Sequence, residues 1–448
     1  MPIDISILKD TPDVVRESEQ KRYGEAGLVD RVVAKYAFWV EQKGKLDSMR
    51  KEKNDINKEI GKKKKAKENA DAEVAKSKAM TEAIKVIEAV VATAEVDMKN
   101  EFNKIGNIVH ESVPVSDDEA NNEVISTWGE FKEGDQYQSH HQLLWRIDGY
   151  EPERGVKVAG HRGYFLKGPG VMLNQALINY ALQFLIKRGY TALQPPYFMK
   201  KEAMANVAQL SDFDEQLYHV STGNPDDDKY LIATSEQPIC AYHMNEQINP
   251  KEMPLRYAGM STCFRKEAGK HGKDTWGIFR VHQFDKIEQF VICDPEESWK
   301  IHEEMRELAE EFLQSLELPY QVVNIVSGEL NNAAAKKYDI ECWFPGYKEF
   351  KELVSCSNCL DYQSRGQGIR YGKGQYVHML NSTLCALTRT ICCILENHQQ
   401  EDGVRVPKVL QPYLGGTEFL PFVREEKVNV NAEKIAKAAK KKEKKDGK

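Results

Sequence analysis

Two strand-like runs around a glycine-containing loop, within residues 261–290, carry charged and aromatic side chains at alternating positions. Alternation along the second run places five side chains on one face of the predicted strand: Arg280, His282, Phe284, Lys286 and Glu288. Arg265 and Glu267 share a face in the first run in the same way. Arginine binds phosphate in a bidentate manner, an aromatic ring stacks on a base, and a carboxylate accepts hydrogen bonds from an amino group. The pattern therefore predicts a ligand-binding face rather than a solvent-exposed edge strand.

The elements that must position this face predict an α+β fold built on an antiparallel sheet. Strand-like runs at 230–233, 284–293 and 320–326 occur together with helical segments at 171–188 and 295–316. Strands and helices do not alternate regularly, and the sequence contains neither GxGxxG nor GxxxxGK[ST]. Both observations argue against a doubly wound fold with a parallel sheet.

A long helical hairpin is predicted upstream, because residues 29–108 contain no proline and carry two apolar stripes. The stripes have the three- and four-residue steps of a coiled coil. One consists of Val32, Tyr36, Trp39, Leu46, Met49, Ile56 and Ile60, and the other of Ile84, Ile87, Val91, Ala94, Met98, Phe102 and Ile105. Residues 61–80 predict a polar tip with a basic cluster of Lys62, Lys63, Lys64, Lys65 and Lys67. Such a cluster either keeps an exposed helix soluble or binds a phosphate backbone.

The length of 448 residues is more than one hydrophobic core usually serves, so several domains are expected. Composition shifts predict an N-terminal domain at 1–115, a larger α+β domain at 116–425 and a basic, disordered tail at 426–448. The net charge of −6 does not itself predict a nucleic-acid binder. Nine scattered cysteines, no apolar run of about 20 residues and no signal-like start favour a reducing, cytoplasmic compartment.

Several segments resemble the signature motifs of the class II aminoacyl-tRNA synthetases. Residues 264–267 and 277–284 resemble the two strands of the second motif, and residues 188–196 resemble the first, with Pro196 at the signature proline. Residues 381–389 resemble the third motif, which ends in Arg389. The likeness is closest to the seryl-tRNA synthetases, because Thr234-Ser-Glu236, residues 351–358 and the helical arm also fit that family.

The resemblance implies an ATP site that holds two anions in line during the reaction. Its implied ATP-binding residues are Arg265, Glu267, Arg280, Phe284, Glu352, Ser355 and Arg389. Arg265 would bridge the α-phosphate and the amino-acid carboxylate, and Glu267 would bind the adenine amino group. Phe284 and Arg389 would cover the two adenine faces. Glu352, with Ser355 nearby, would hold Mg²⁺ between the phosphates. Arg265, Glu352 and Arg389 are the implied catalytic residues.

The same resemblance implies serine as the amino acid. Thr234 and Glu236 would bind its ammonium group, and Glu288 and Thr383, with Asn381 beside them, would bind its hydroxyl. Arg265 would reach its carboxylate. The reaction needs no protein nucleophile, since the substrate carboxylate attacks ATP and the terminal ribose of tRNA then attacks the adenylate.

The family likeness further implies a homodimer with its interface at the first motif, around Pro196, and serine tRNA bound across the two subunits. The arm, with its five lysines, would contact this tRNA by shape more than by sequence. Selenocysteine tRNA is an implied second substrate wherever it exists.

Three alternatives accompany this hypothesis. A relative that has lost catalysis could act as an RNA-binding or regulatory protein, although the principal ATP-binding residues are present. A threonyl or prolyl enzyme would not have this arm and Thr-x-Glu segment. Cys356 and Cys359 could belong to a zinc site, but the sequence offers no second ligand pair. One departure from the family pattern is Gly366, which stands where a second arginine of Gln-x-Arg-Arg is expected.

Overall fold

The computed structural model describes residues 3–207, 216–268 and 272–425. Its α-helices are α1 (Ile5–Asp10), α2 (Pro12–Lys21), α3 (Leu28–Lys65), α4 (Asp71–Phe102), α5 (His140–Arg146), α6 (Pro152–Ala159), α7 (Pro169–Ile186), α8 (Lys201–Ala205), α9 (Glu236–Cys240), α10 (Ser298–Ser315), α11 (Tyr362–Gln367) and α12 (Leu387–His398). The first half of its strands comprises β1 (Glu123–Trp128), β2 (Tyr150–Glu151), β3 (Phe165–Leu166), β4 (Thr191–Leu193), β5 (Phe198–Lys200), β6 (His219–Val220), β7 (Lys229–Leu231), β8 (Gln247–Ile248) and β9 (Leu255–Phe264). The second half comprises β10 (Gln283–Cys293), β11 (Tyr320–Asn324), β12 (Lys336–Phe344), β13 (Glu349–Asn358), β14 (Arg370–Tyr371), β15 (Gln375–Tyr376), β16 (His378–Ala386), β17 (Gly403–Arg405) and β18 (Phe419–Pro421).

A large sheet organises the chain after the arm. Its strands follow the order β1-β11-β12-β13-β16-β10-β9-β4. The pairings are antiparallel except at one edge, where β4 runs parallel to β9. This arrangement confirms the predicted α+β class with an antiparallel sheet.

Helices α7, α10 and α12 pack on the sheet and enclose its main hydrophobic core. Helix α7 begins two residues before the predicted start, because Pro169 takes the first helical turn, where its missing N–H is not needed. It ends at Ile186, two residues before the predicted end. Helix α10 lies inside the predicted range, since residues 295–297 form a separate 3-10 turn.

Helices α3 and α4 form the predicted helical arm. The apolar stripes meet between them, and Val32, Phe102 and Ile105, near the root of the arm, are buried most deeply. At a rise of about 1.5 Å per residue, α3 extends about 55 Å. Four ion pairs join the helices in antiparallel order: Arg31–Glu101, Lys35–Glu101, Arg50–Glu88 and Lys63–Glu73.

The tip of the arm is shorter than the sequence predicted. Helix α3 continues to Lys65 and α4 begins at Asp71, so only residues 66–70 connect them. Lysine, alanine and glutamate favour helix even without an apolar stripe, which explains why the polar segment remains helical. Within the described ranges, no helix is both long enough and apolar enough to span a membrane. The predicted basic tail, residues 426–448, lies outside the described residues.

Candidate active site

The second-motif hairpin lies on β9 and β10, at the centre of the predicted ligand face. The two strands are paired along their whole length, and the Arg265 N–H extends the ladder by donating to the His282 carbonyl at 2.9 Å. Gly259 lies opposite Glu288 in this pairing. A Cβ at Gly259 would lie 2.5 Å from Ser235 Oγ, so glycine allows the loop before α9 to approach the strand.

Arg265 and Phe284 lie together on this face. The guanidinium carbon of Arg265 is 5.3 Å from the centre of the Phe284 ring, within range of a cation–π contact. Its Nε donates to the Ala233 carbonyl at 3.3 Å, which directs the side chain toward the loop that contains Thr234. The arginine therefore stands beside both an aromatic platform and the predicted amino-acid pocket.

Glu267 and Arg280 form an ion pair across the hairpin. Arg280 Nη1 donates to Glu267 Oε2 at 3.0 Å, and the Glu267 side chain is 8% exposed. His282 is not part of this ion pair. Its Nδ1 lies 3.0 Å from the Arg265 carbonyl oxygen. It contacts the hairpin backbone, whereas the sequence pattern predicted only that it lies on the ligand face.

Arg389, at the start of α12, reaches across to β13. Its Nη1 donates to the Glu352 carbonyl at 2.9 Å and lies 3.3 Å from Glu352 Oε2. The guanidinium carbon is 4.9 Å from the centre of the Phe279 ring. The sequence did not predict Phe279 as a member of this site. The alternation along the predicted strand places it on the face opposite Arg280, among core residues.

Glu352 lies close to several cationic side chains of the site. Desolvation by its surroundings raises its pKa, but the charges of Arg389, Lys337 and Arg265 outweigh this effect, and the pKa lies below its usual range. Ser355 occupies the same strand, opposite Asp339 on β12. Burial raises the pKa of Asp339 to about 7, and its Oδ1 is buried without a hydrogen-bond partner.

Carboxylate and hydroxyl oxygens of this kind are the ligands that Mg²⁺ prefers, so Glu352 and Ser355 fit a magnesium ion. In the described parts of the chain, no group of three or more His, Cys, Asp or Glu side chains has the geometry of a metal site. Cys356 and Cys359 have different neighbours: Cys356 Sγ contacts the His302 carbonyl, and Cys359 Sγ accepts from Asn381.

Glu288 forms one side of a polar pocket next to Arg265. Its carboxylate accepts from the hydroxyls of Thr234, at 2.7 Å, and Ser235, and it is 2.6 Å from Lys286 Nζ. Burial opposes the charge, but Lys286 and the two hydroxyls outweigh it and lower the pKa of Glu288. Thr383 is its cross-strand neighbour on β16. The Glu288 carboxylate and the Thr383 side chain therefore lie next to each other on one face of the sheet.

Glu236 forms the other side of this pocket, at the start of α9. Its Oε1 accepts from Asn381 Nδ2 at 2.9 Å and from Gln363 Nε2 at 2.6 Å. Burial and the nearby Glu288 charge raise the pKa of Glu236 to about 7. The structure thus brings together the five predicted serine-binding residues other than Arg265, with Arg265 close enough to lower this pKa.

Three residues that complete the pocket had no role predicted from the sequence: Ser235, Lys286 and Gln363. Alternation places Lys286 on the ligand face, and its spacing of two from Glu288 is the signal that pairs them. Gln363 is the first residue of the segment compared with Gln-x-Arg-Arg, so the family likeness marks its position but predicted no role for it. A Cβ at Gly366 would lie 3.0 Å from the Asn206 carbonyl oxygen, so glycine there permits close packing of α11.

The remaining predicted residues lie outside this pocket. Four of the lysines occupy the last turn of α3, and Lys67 follows it with a φ of 59°. All five are exposed except Lys63, which is half-buried and contacts Glu73 at 2.5 Å. Pro196 lies between β4 and β5, beside the edge strand of the large sheet.

Comparisons with known proteins agree with this architecture. Residues 3–109 match the family described as the seryl-tRNA synthetase N-terminal domain, and residues 218–398 match the tRNA synthetase class II core domain (G, H, P, S and T). The cytoplasmic serine--tRNA ligase of Schizosaccharomyces pombe is 55% identical over 435 residues, covering 94% of this chain and 96% of that protein.

Two solved structures are similar over nearly the whole chain. The cytoplasmic serine-tRNA ligase of Naegleria fowleri in complex with AMP has a TM-score of 0.86 and 45% identity, covering 94% of this chain and 99% of that one. The seryl-tRNA synthetase of Pyrococcus horikoshii complexed with ATP has a TM-score of 0.88 and 40% identity, covering 94% and 100%.

The antiparallel sheet and the matched core define a class II aminoacyl-tRNA synthetase. The helical arm and the extent of the sequence likeness identify the family within this class. The chain belongs to the seryl-tRNA synthetase family.

Proposed function

We propose that this chain is a serine--tRNA ligase that acts in two steps in the pocket between Arg265, Glu236 and Glu288. A carboxylate oxygen of serine attacks the α-phosphorus of ATP, which forms seryl-adenylate and releases pyrophosphate. The 3′-terminal ribose hydroxyl of tRNA(Ser) then attacks the adenylate carbonyl, which forms the ester and releases AMP. The observation that carries this proposal is the pair of carboxylates, Glu236 and Glu288, in one pocket beside Arg265.

ATP binding is assigned to the second-motif hairpin and the start of α12. Arg265 binds the α-phosphate and the serine carboxylate, which offsets the charge that develops during attack. Phe284 stacks on one face of the adenine, and Arg389 covers the other face and binds the γ-phosphate. Glu267 accepts from the adenine amino group, and its ion pair with Arg280 holds its carboxylate in place for this contact.

Glu352 and Ser355 would hold Mg²⁺ near the phosphates. The metal would supply positive charge that screens the triphosphate and orients its oxygens. Glu352 already contacts Arg389, so this arginine lies beside one of the two residues that would hold the ion.

Serine specificity is assigned to the two sides of the polar pocket. Glu236, with Thr234, binds the ammonium group, and Asn381 supports this side through its bond to Glu236. Glu288 and Thr383 bind the hydroxyl. Because Glu288 carries a stabilised charge, it acts as the acceptor in this contact. A site that hydrogen-bonds a substrate hydroxyl rejects an analogue that lacks it by about 10⁴-fold or more.

The arm is assigned to tRNA. Lysines 62, 64, 65 and 67 are exposed at the tip and would contact phosphates, whereas Lys63 already shares its charge with Glu73. By its family likeness the protein would also charge selenocysteine tRNA where that tRNA exists. Relatives named as cytoplasmic support the same location for this protein.

We further assign the chain a domain order and a homodimer. The N-terminal domain spans 1–115, the catalytic domain 116–425 and the tail 426–448. The dimer interface includes Pro196 and the sheet edge at β4. The side chains of Ile186 and Phe198, on either side of β4 in sequence, are half exposed and apolar, as an interface requires. The tRNA would bind across both subunits, with the arm of one serving the pocket of the other.

Serine-dependent exchange of pyrophosphate into ATP, measured without tRNA, tests the first step. We expect exchange with serine from the intact chain and a loss of about 10³-fold or more in Arg265→Ala, since an aligned cation acts mainly on the transition state. The control is Arg16→Ala, which removes an exposed arginine paired with Asp13 and Asp30 near α2. A folded dimer that exchanges with no amino acid would instead support an RNA-binding protein without catalysis.

A further inference from the structure

Gln363 is a buried side chain that contacts the amino-acid pocket from outside the large sheet. It lies on α11, is 2% exposed, and donates from Nε2 to Glu236 Oε1 at 2.6 Å. Asn381, on β16, donates to the same oxygen. Among the hydrogen bonds of the described residues, both amide donors therefore bind Oε1, and Oε2 is the oxygen that a ligand can approach.

Helix α11 is fixed by contacts on both sides of Gln363. Before it, the Tyr362 hydroxyl donates to the Ile105 carbonyl at the root of the arm, at 3.1 Å. After it, the Ser364 hydroxyl donates to the Val377 carbonyl at 2.7 Å. Arg365 donates to Asp361, the residue before α11, and to Asp4 near the N-terminus. The amide of Gln363 is thus presented to Glu236 from an anchored backbone.

We propose that Gln363 is a positioning residue for serine activation, which holds the Glu236 carboxylate so that its Oε2 meets the ammonium group of serine. The proposal rests on the function assigned above to this pocket. Gln363 does not touch the substrate in this arrangement. Its contribution passes entirely through Glu236, and it complements Asn381, which holds the same oxygen from the sheet.

The surroundings of Glu236 make this role visible in the pH dependence of serine binding. Burial and Glu288 raise the pKa of Glu236 to about 7, whereas the bond from Gln363 and the charges of Lys286 and Arg265 lower it. The nearby thiols of Cys240 and Cys359 are neutral, since burial and Glu236 raise their pKa values well above 9. Loss of the Gln363 donor therefore raises the pKa of Glu236 and leaves less carboxylate at pH 7.

The test compares Gln363→Met with Gln367→Met in pyrophosphate exchange. Both glutamines are buried on α11, methionine keeps nearly the same volume, and no hydrogen bond to the Gln367 side chain is present within the described part of the chain. We expect Gln363→Met to raise the serine KM about ten- to hundredfold at pH 6.5–7, the range for a bond to a charged group. The ATP KM should stay within about twofold, as the altered bond lies away from the nucleotide.

The pH profile separates positioning from packing. For Gln363→Met, the serine KM should fall as the pH rises, because more Glu236 is then ionised. The increase over the wild-type KM that persists at high pH measures the loss of positioning. Gln367→Met should follow the wild-type profile throughout. A KM increase that is equal for serine and ATP, or a Gln363→Met profile that coincides with that of Gln367→Met, would overturn the proposal.

A second isosteric variant guards against a folding defect. Gln363→Glu keeps the shape but replaces the amide donor by a carboxyl group, which can donate to Glu236 only while it is protonated. The serine KM of this variant should therefore increase as the pH rises and the two carboxylates repel each other. An unchanged profile in this variant would also overturn the proposal. If the wild-type protein shows no serine-dependent exchange, the assigned function itself fails, and that result is distinct from a failure of the role of Gln363.

Discussion

The amino-acid pocket and the arm use charged side chains in opposite ways. In the pocket, Lys286 and Glu288 are 8% and 5% exposed and contact each other at 2.6 Å. On the arm, Lys45 and Glu41 make a pair of similar length, 2.7 Å, with both side chains more than half exposed. A buried charge is costly unless it is paired, whereas an exposed pair contributes little. Single substitutions should therefore have large effects in the pocket and small, additive effects on the arm.

Among the variants that test this contrast, the largest effect is expected when the buried pair is broken. Lys286→Met keeps most of the side-chain volume but removes the cation that lowers the pKa of Glu288. Breaking a buried ion pair costs about 3–5 kcal/mol, and we expect the free energy of unfolding to fall by that amount. Serine-dependent exchange at pH 7 should fall at least about 100-fold, because the acceptor for the serine hydroxyl is then less often charged.

Chemical denaturation and exchange kinetics on the same samples measure both effects. The matched control is Lys300→Met, since Lys300 is 79% exposed and lies 3.6 Å from Glu304. It should change the free energy of unfolding by less than about 1 kcal/mol. Equal, small losses in the two variants would mean that burial does not distinguish the pocket from the surface in this protein.

The contrast between the two regions also explains what the sequence could predict. The arm follows from local periodicity, since an apolar residue at every third or fourth position implies a seam. Lys286 and Glu288 are two residues apart on one strand, so alternation alone places them on one face. The length of the tip could not be predicted, because residues 61–80 lack apolar positions yet favour helix.

Contacts between segments that are distant along the chain could not be predicted from the sequence. Gln363 and Glu236 are 127 positions apart, and both lie on short helices without an apolar stripe of their own. His140 and Glu396, 256 positions apart, form a buried pair that no local pattern indicates. Although burial opposes its charge, Cys392 and the Glu396 carboxylate raise the pKa of His140 to about 10. Such pairs depend on how the chain folds back, which periodicity does not determine.

A smaller effect, confined to the tRNA step, is expected at the tip of the arm. Lys64→Ser with Lys65→Ser removes two exposed cations and should weaken tRNA(Ser) binding about tenfold at low salt. The slope of log affinity against log salt should shrink by about 0.9 for each phosphate that these lysines no longer neutralise. Exchange without tRNA should be unchanged, because the tip plays no part in the first step.

Filter binding of tRNA(Ser) across a salt series, beside exchange, measures this prediction. The control pair, Lys45→Ser with Lys99→Ser, removes the same charge from the body of the arm, where each lysine contacts a glutamate one turn away. Similar decreases in affinity for both pairs would show that overall charge matters and that the tip is not a specific contact.

The smallest effect is expected at Tyr362, which joins the two regions. Its hydroxyl donates to the Ile105 carbonyl, and its ring packs against the core at the root of the arm. Tyr362→Phe keeps the ring and removes one hydrogen bond, so we expect the free energy of unfolding to fall by about 0.5–1.5 kcal/mol. The serine KM should change less than about threefold, because Ser364 and Arg365 still hold α11. Denaturation and the serine KM at pH 7 measure this. If Tyr362→Phe raised the serine KM as much as Gln363→Met, the root of the arm would set the geometry of the pocket, and the two regions would not be independent.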